Sequence, residues 1–391
     1  MPRLHARALP ALSASLLALV ACTGSDDAPP VDDLLPPPPA GQGVQFAMSH
    51  TIPAGVEGEW CRFVTAPADA QHVYKDEVRF TAGSHHFLLY ETSYDAIPTQ
   101  RDDGTPVDTS GVFDCSDGAT NGWSVTRLIG GSQNGEGDSI LDFPAGVALT
   151  VRPHAVLLMN AHYLNATDAP LTPEVRINLW TRPASEVTTE GDILFLYNPF
   201  IKVPASGDGR ARWRCPVTRD ITIANLQSHM HKRGVGYTAQ ITGGDVIYQN
   251  DSWQAVPVTR FPTGLHVAAG AQLDYWCDYH NAETRAVYQG ARTTDEMCML
   301  IGSYYPADPA LSNCQTADGR IAGEWIGNGT ATCAETFACL QGAGDLHAVT
   351  DCMDAASPAV SRSSSALVAC FASQADPATA CTAQIAACQA E

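Results

Sequence analysis

The stretch QSHMHKRG sets His229 and His231 two residues apart. On a strand successive side chains alternate between faces, so both imidazoles leave one side and can reach one ion. Further along, TTDEMCMLIGSYYP carries Met297, a thioether beside Cys298 at a polar-to-apolar transition. Two imidazoles and a thioether form a mixed borderline and soft donor set. Such a set selects copper, which cycles between two oxidation states, over magnesium or calcium. The bland alternatives are an exposed histidine pair and a core methionine. GSHHFLLYE is the harder case, because His85 and His86 are adjacent and diverge on a regular strand. They join His162 of MNAHYLN in an all-imidazole set only where the backbone is irregular, and Gly83 and Ser84 just before them supply the freedom for a bulge. Otherwise one ring packs inward and the other meets solvent. His154 and His280 read as outer-face residues, and His50, His72, His266 and His347 show no partner pattern.

The elements that must position these groups are β in texture from about residue 44 to 318. Short runs such as AVLLMNAHYL, EVRINLW and ITIANLQSHMH are broken by Gly, Pro, Asn and Asp clusters. That pattern suits antiparallel sandwiches or jelly rolls. A break around LYNPFIKVPASGDGRARWRC places a boundary near residue 192. Past residue 318 the chain is Ala-rich and helix-prone and carries Cys333, Cys339, Cys352, Cys370, Cys381 and Cys388. These read as a small helical module stapled by three of about 15 possible pairings. A zinc site is the rival, disfavoured by the lack of C-x₂-C pairs.

At the other end, Arg3, His5 and Arg7 head an apolar stretch closing on LVAC, too short to span a membrane. LVAC resembles a bacterial lipobox, with Cys22 acylated, and Thr23 after the cysteine points to the outer membrane. The expected location is the bacterial cell envelope, lipid-anchored, or the extracellular space. The next residues are rich in Pro, Asp and Gly and read as an extended tether. Setting Cys22 aside, 12 of the 13 cysteines remain, and an even number in an exported chain makes disulfides the default. The balance of 22 basic to 42 acidic residues argues against nucleic acid or anionic lipid as a partner. Membrane contact is expected only through the lipid on Cys22.

Taken in order, HH, then HY, then HMH, then EMC followed by YYP resembles the copper type II, ascorbate-dependent monooxygenases, which include peptidylglycine α-hydroxylating monooxygenase and dopamine β-monooxygenase. The similarity spans roughly residues 45 to 318 and leaves out the cysteine-rich tail. It implies an all-β chain of two tandem jelly-roll β-sandwich domains, each with one copper, facing each other across an open, solvent-filled cleft. The expected organisation is a signal peptide over 1–21, a lipidated tether over 22–43, copper-binding sandwiches over 44–191 and 192–318, and a disulfide-rich α-helical module over 319–391. Carried over by motif, His85, His86 and His162 resemble the electron-transfer copper ligands. His229, His231 and Met297 resemble the catalytic copper ligands, where oxygen and substrate are used. The family cysteines imply Cys61–Cys115, Cys215–Cys314 and Cys277–Cys298. The implied reaction takes electrons singly from a reductant such as ascorbate and hydroxylates a C–H bond of a small-molecule or peptide substrate with O₂.

Two departures bear on substrate. The peptidylglycine enzymes carry an Arg two residues before the HxH pair, where this chain has Gln227, and Asn and Tyr after the Met ligand, where it has Met299 and Ile301. A peptide carboxyl terminus loses its charge partner, and the pocket becomes more apolar. Two other classes stay open on the residues alone: a non-catalytic copper-binding or copper-handling lipoprotein, and a β-sandwich interaction protein with incidental histidines.

Overall fold

The computed structural model describes residues 34–133, 140–316, 319–374 and 376–391. The expected signal peptide, the expected acylation site at Cys22 and the first part of the tether lie outside the described residues. Among the described residues no helix is long and apolar enough to cross a membrane. Leu35, within the stretch read as tether, is buried, and Asn178 donates to the Pro36 carbonyl at 2.9 Å.

The chain is mostly β, with a disulfide-rich helical region at its C-terminal end. In the first half, one sheet contains Gly43–Ser49, Glu174–Thr181, Gln71–Phe80, Val147–Val151 and Thr189–Glu190 in that spatial order. A second sheet runs Phe113–Asp114, Glu57–Thr65, Val156–Leu164, Ser84–Thr92 and Val125–Ser132. In the second half, one sheet orders Asp192–Tyr197, Cys298–Tyr305, Ile221–Met230 and Thr259–Val267. Its companion orders Val246–Asn250, Gly234–Ile241, Gln272–Asn281, Gly207–Pro216 and Glu324–Ile326.

Strand alternation explains how these halves meet. Leu194 and Leu196 enter the second hydrophobic cluster, whereas Ile193, Phe195 and Tyr197 between them face the first. On Cys298–Tyr305, Cys298, Leu300 and Tyr304 point into the second cluster. Met299 and Ile301 are buried in the first. One sheet therefore serves two cores, one on each face, and the seam between the halves is largely apolar.

The tail cysteines pair as Cys333–Cys388, Cys339–Cys352 and Cys370–Cys381, a connectivity that spacing left open. Helix Cys333–Gln341 opens on a capping box between Thr332 and Glu335, which satisfies two N-terminal amides at once. The helices do not keep a core to themselves: Cys333, Cys352, Met353 and Leu367 join the second cluster. Trp325 stacks on Phe200 with centroids 4.8 Å apart, and its amide donates to Ser365 Oγ at 2.8 Å.

Candidate metal centre

His85 and His86 converge because the strand beneath them is irregular. Ser84 pairs with Tyr163 and His86 with His162, so two steps on one strand match one on the other and His85 is the extra residue. Gly83 enters this bulge with φ +94°, a left-handed conformation that favours glycine. The rings of His85, His86 and His162 stand 5.0–5.5 Å apart, centroid to centroid. Their ligand atoms all lie within 4.8 Å of one another, and the two adjacent Nδ1 atoms are 3.3 Å apart.

The third ring is oriented from outside. His162 Nε2 meets Glu57 Oε1 at 3.1 Å. Glu57, held near 2 chiefly by that hydrogen bond, is a carboxylate that only accepts, so Nε2 carries the proton and Nδ1 the lone pair. His162 Nδ1 is buried without a protein partner. A buried, unsatisfied lone pair among two more imidazoles fits a metal ion, and the carboxylate behind it is the usual support of a ligating histidine. Burial, the largest cause, pushes His85 down to about 4 and His86 well below the ordinary imidazole range. Both rings are therefore neutral donors at physiological pH.

The second set is built on a strand end. Leu226 and Met230 point into the second cluster, so Gln227 and His229 turn toward the seam. The register pairs Gln227 with Ile301 and His229 with Met299. Its next same-face pair, just past the strand ends, is His231 with Met297. The rings of His229 and His231 are 5.2 Å apart. His231 Nδ1 donates to the Asp295 carbonyl at 3.1 Å, which leaves Nε2 as the free donor atom. His229 Nδ1 lies 2.7 Å from Gln133 Oε1. Gln133 Nε2 in turn donates to the Ser228 carbonyl at 2.7 Å and to Gln227 Oε1 at 3.0 Å. Those two acceptors fix which end of the amide faces His229, so its Nε2 is also free. Burial, the first cause for both, lowers His231 to about 4 and His229 well below the ordinary range.

Met297 is held from several sides. The preceding Glu296 is fully buried and accepts from the amides of His231 and Arg233 at 3.1 and 3.0 Å. It also pairs with the Arg233 guanidinium at 3.3 Å. Burial raises this carboxyl to about 7, against the pull of its Arg233 partners. The following Cys298 is bridged to Cys277 across a separation of 21 residues, a constraint of about 3 kcal/mol. Tyr279 donates to the Met297 carbonyl at 2.8 Å.

The structure corrects the expectation of an open, solvent-filled cleft. His86 of the first set lies 5.8 Å from His229 of the second, and both are buried. The physical reason is the two-faced sheet, whose Met299 and Ile301 close the seam by packing into the first core. What remains open is a cavity of about 790 Å³ that reaches His86, His229, Met297, Met299 and Ile301. Leu88, Tyr90, Phe195 and Trp123 add to its apolar wall. Glu59 also lines it; burial raises its carboxyl, and Asn160 Nδ2 contacts it at 3.3 Å. Gln227 does not face this space, because Gln133 engages it.

Cys61–Cys115, Cys215–Cys314 and Cys277–Cys298 are all bridged. His154 is exposed, and His280 is an exposed partner of Asp208 at 2.7 Å, in keeping with the outer-face reading. Sequence reasoning missed Glu57, Gln133, Glu296 and Trp253, which stacks on His85 with centroids 6.1 Å apart. Only Glu296 carried a local signal, its place beside Met297.

Residues 210–321 match the family described as copper type II ascorbate-dependent monooxygenase, C-terminal domain. That segment is similar to the C-terminal domain of those enzymes. It contains His229, His231 and Met297 but covers well under half of the chain, and His85, His86 and His162 lie outside it. No curated protein matches the chain. Among solved structures, a peptide-N(4)-(N-acetyl-β-D-glucosaminyl)asparagine amidase is 9% identical, with 67% of this chain and 97% of that one covered and a TM-score of 0.28. The major capsid protein P2 of bacteriophage PM2 is 9% identical, with 66% and 98% covered and a TM-score of 0.24. Likenesses at those scores carry no argument about fold or function.

Proposed function

We propose that this protein is an exported two-copper monooxygenase that uses O₂ and a one-electron reductant such as ascorbate to hydroxylate a C–H bond of an apolar substrate. The observation that carries this reading is that one cavity reaches both histidine sets, through His86 and His229, beside Met297. His85, His86 and His162 would hold one copper and His229, His231 and Met297 the other, within two jelly-roll sandwiches. When bound, copper supplies one-electron redox chemistry and oxygen activation that no side chain here can provide.

The chain's own residues do the rest. Glu57 holds the His162 proton on Nε2, and the Asp295 carbonyl and Gln133 hold the His231 and His229 protons on Nδ1, so each ring keeps its lone pair for the metal. Leu88, Tyr90, Phe195, Met299 and Ile301 exclude water and favour an apolar body over a peptide carboxylate. Arg127 lines the cavity and pairs at 2.8 Å with Glu91, a carboxylate it shares with Arg152. The lipobox-like LVAC supports attachment to the bacterial envelope through Cys22, with the catalytic part outside the cytoplasm.

The test is oxygen consumption by copper-loaded protein with ascorbate, with and without apolar C–H substrates. Uptake coupled to product formation is expected, and Met297→Ile abolishes it while one copper per chain remains. Coupled turnover that survives the substitution overturns the assignment of the oxygen site. Uptake that depends on no substrate favours a copper-handling protein instead.

A further inference from the structure

Three contacts cross the seam: two end on candidate ligands, and one ends on a residue that holds a candidate ligand. Gln133 belongs to the first half, immediately after strand Val125–Ser132, yet it fixes the His229 ring in the second half and is tied to the backbone there by its bond to the Ser228 carbonyl. Its own placement is braced: the buried Asp76 accepts from the Gly131 amide at 2.6 Å and the Leu141 amide at 2.9 Å. In the opposite sense, Glu57 holds His162 and accepts from Thr293 Oγ1 at 3.0 Å. Thr293 sits on the second-half segment that leads to Met297. Trp253, also from the second half, covers His85. Each histidine set is thus supported by the half that does not carry it.

We propose that Gln133 and Glu57 are positioning residues that make metal binding at each set conditional on contact between the two halves. The inference rests on the copper reading above and goes beyond it. Ligand orientation is not a property of either sandwich alone but of the closed seam. Gln133 is the stronger brace, with three hydrogen bonds converging on its amide. The Glu57–Thr293 link lies at the rim, where Glu57 is 30% exposed, and its effect is smaller.

The full chain is assayed for Cu(I) affinity by competition with a colorimetric chelator. A His162→Ala background reports the second set, and a His231→Ala background reports the first. Gln133→Ala is expected to weaken the second set by about 10–100-fold, the range typical of losing a residue that orients a ligating histidine. Thr293→Val touches no histidine and is expected to weaken the first set by several-fold. Circular dichroism and the unfolding midpoint establish that each variant folds. Folded variants whose affinities stay within about twofold of their backgrounds overturn the coupling and leave the copper reading intact. Backgrounds that bind no copper overturn both.

Discussion

In the first histidine set the backbone is distorted so that adjacent rings can meet, whereas the second keeps regular pairing from Gln227 to Met230 and lets period-two alternation bring His229 and His231 to one face. The first set presents the Nδ1 atom of His162, and the second presents Nε2 atoms. The first has its ring held by a rim carboxylate, the second by a carbonyl and an amide in the seam. The difference teaches that a donor set is defined as much by what occupies the other nitrogen as by the spacing of histidines. A strained turn can substitute for a regular spacing when a hydrogen bond fixes the tautomer.

That contrast can be broken one side at a time. The largest effect is expected at Glu296→Ala, which leaves the buried Arg233 without one of its two carboxylates and strips two amides of their acceptor. Arg233 keeps Glu283, but each buried amide left without an acceptor costs about 1–3 kcal/mol. Denaturant unfolding should show that loss, with copper retained only at the first set. Copper held at both sets would separate the Glu296 network from ligand placement.

Next is Gly83→Ala on the other side. A methyl there meets Leu171 Cδ2 at 2.4 Å and must adopt φ +94°, at a cost of about 1–3 kcal/mol. The bulge is expected to relax, so that copper is lost from the His85/His86/His162 set and kept by the other. Metal analysis that finds both coppers in this variant would show that the bulge does not depend on glycine.

The smallest effect is in pH and sharpens the comparison rather than breaking it. In the metal-free protein His85, His86, His229 and His231 are depressed by burial. The unfolded chain takes up protons below an ordinary value near 6.5 that the folded chain refuses. Their contribution to stability is therefore fully present above that value and is lost as pH falls toward about 4, the folded value of His85 and His231. The slope reaches up to about 1.4 kcal/mol per pH unit for each histidine. Unfolding midpoints of apo protein should fall between pH 7 and 5, with Glu296, raised to about 7, partly opposing the fall. In a Glu296→Gln background, a flat profile there would mean that the rings are not buried.

Much of this was legible before the structure. The same-face logic of His229 and His231, the irregularity demanded by adjacent His85 and His86, and the β texture all follow from alternation and turn chemistry within a few residues. The three bridges of the β region followed from resemblance. Contacts with no local signature could not be read. Gln133 lies 96 positions from His229 and Glu57 lies 105 from His162, and neither residue type is unusual where it stands. The abutting of the two sets depends on how Met299 and Ile301 dock into the other core, and an apolar strand that serves two cores reads like any buried strand. The tail looked self-contained because its cysteines are dense, yet its apolar residues are spent on the neighbouring sandwich.

A sheet shared between two cores also limits how this chain can be cut or recombined. A fragment stopping near residue 192 would present a raw greasy flank where Met299 and Ile301 belong, and the complementary fragment would expose those same residues to water. Neither piece is an interchangeable cassette. Swapping one half for that of a relative would succeed only if both sides of the join were exchanged together.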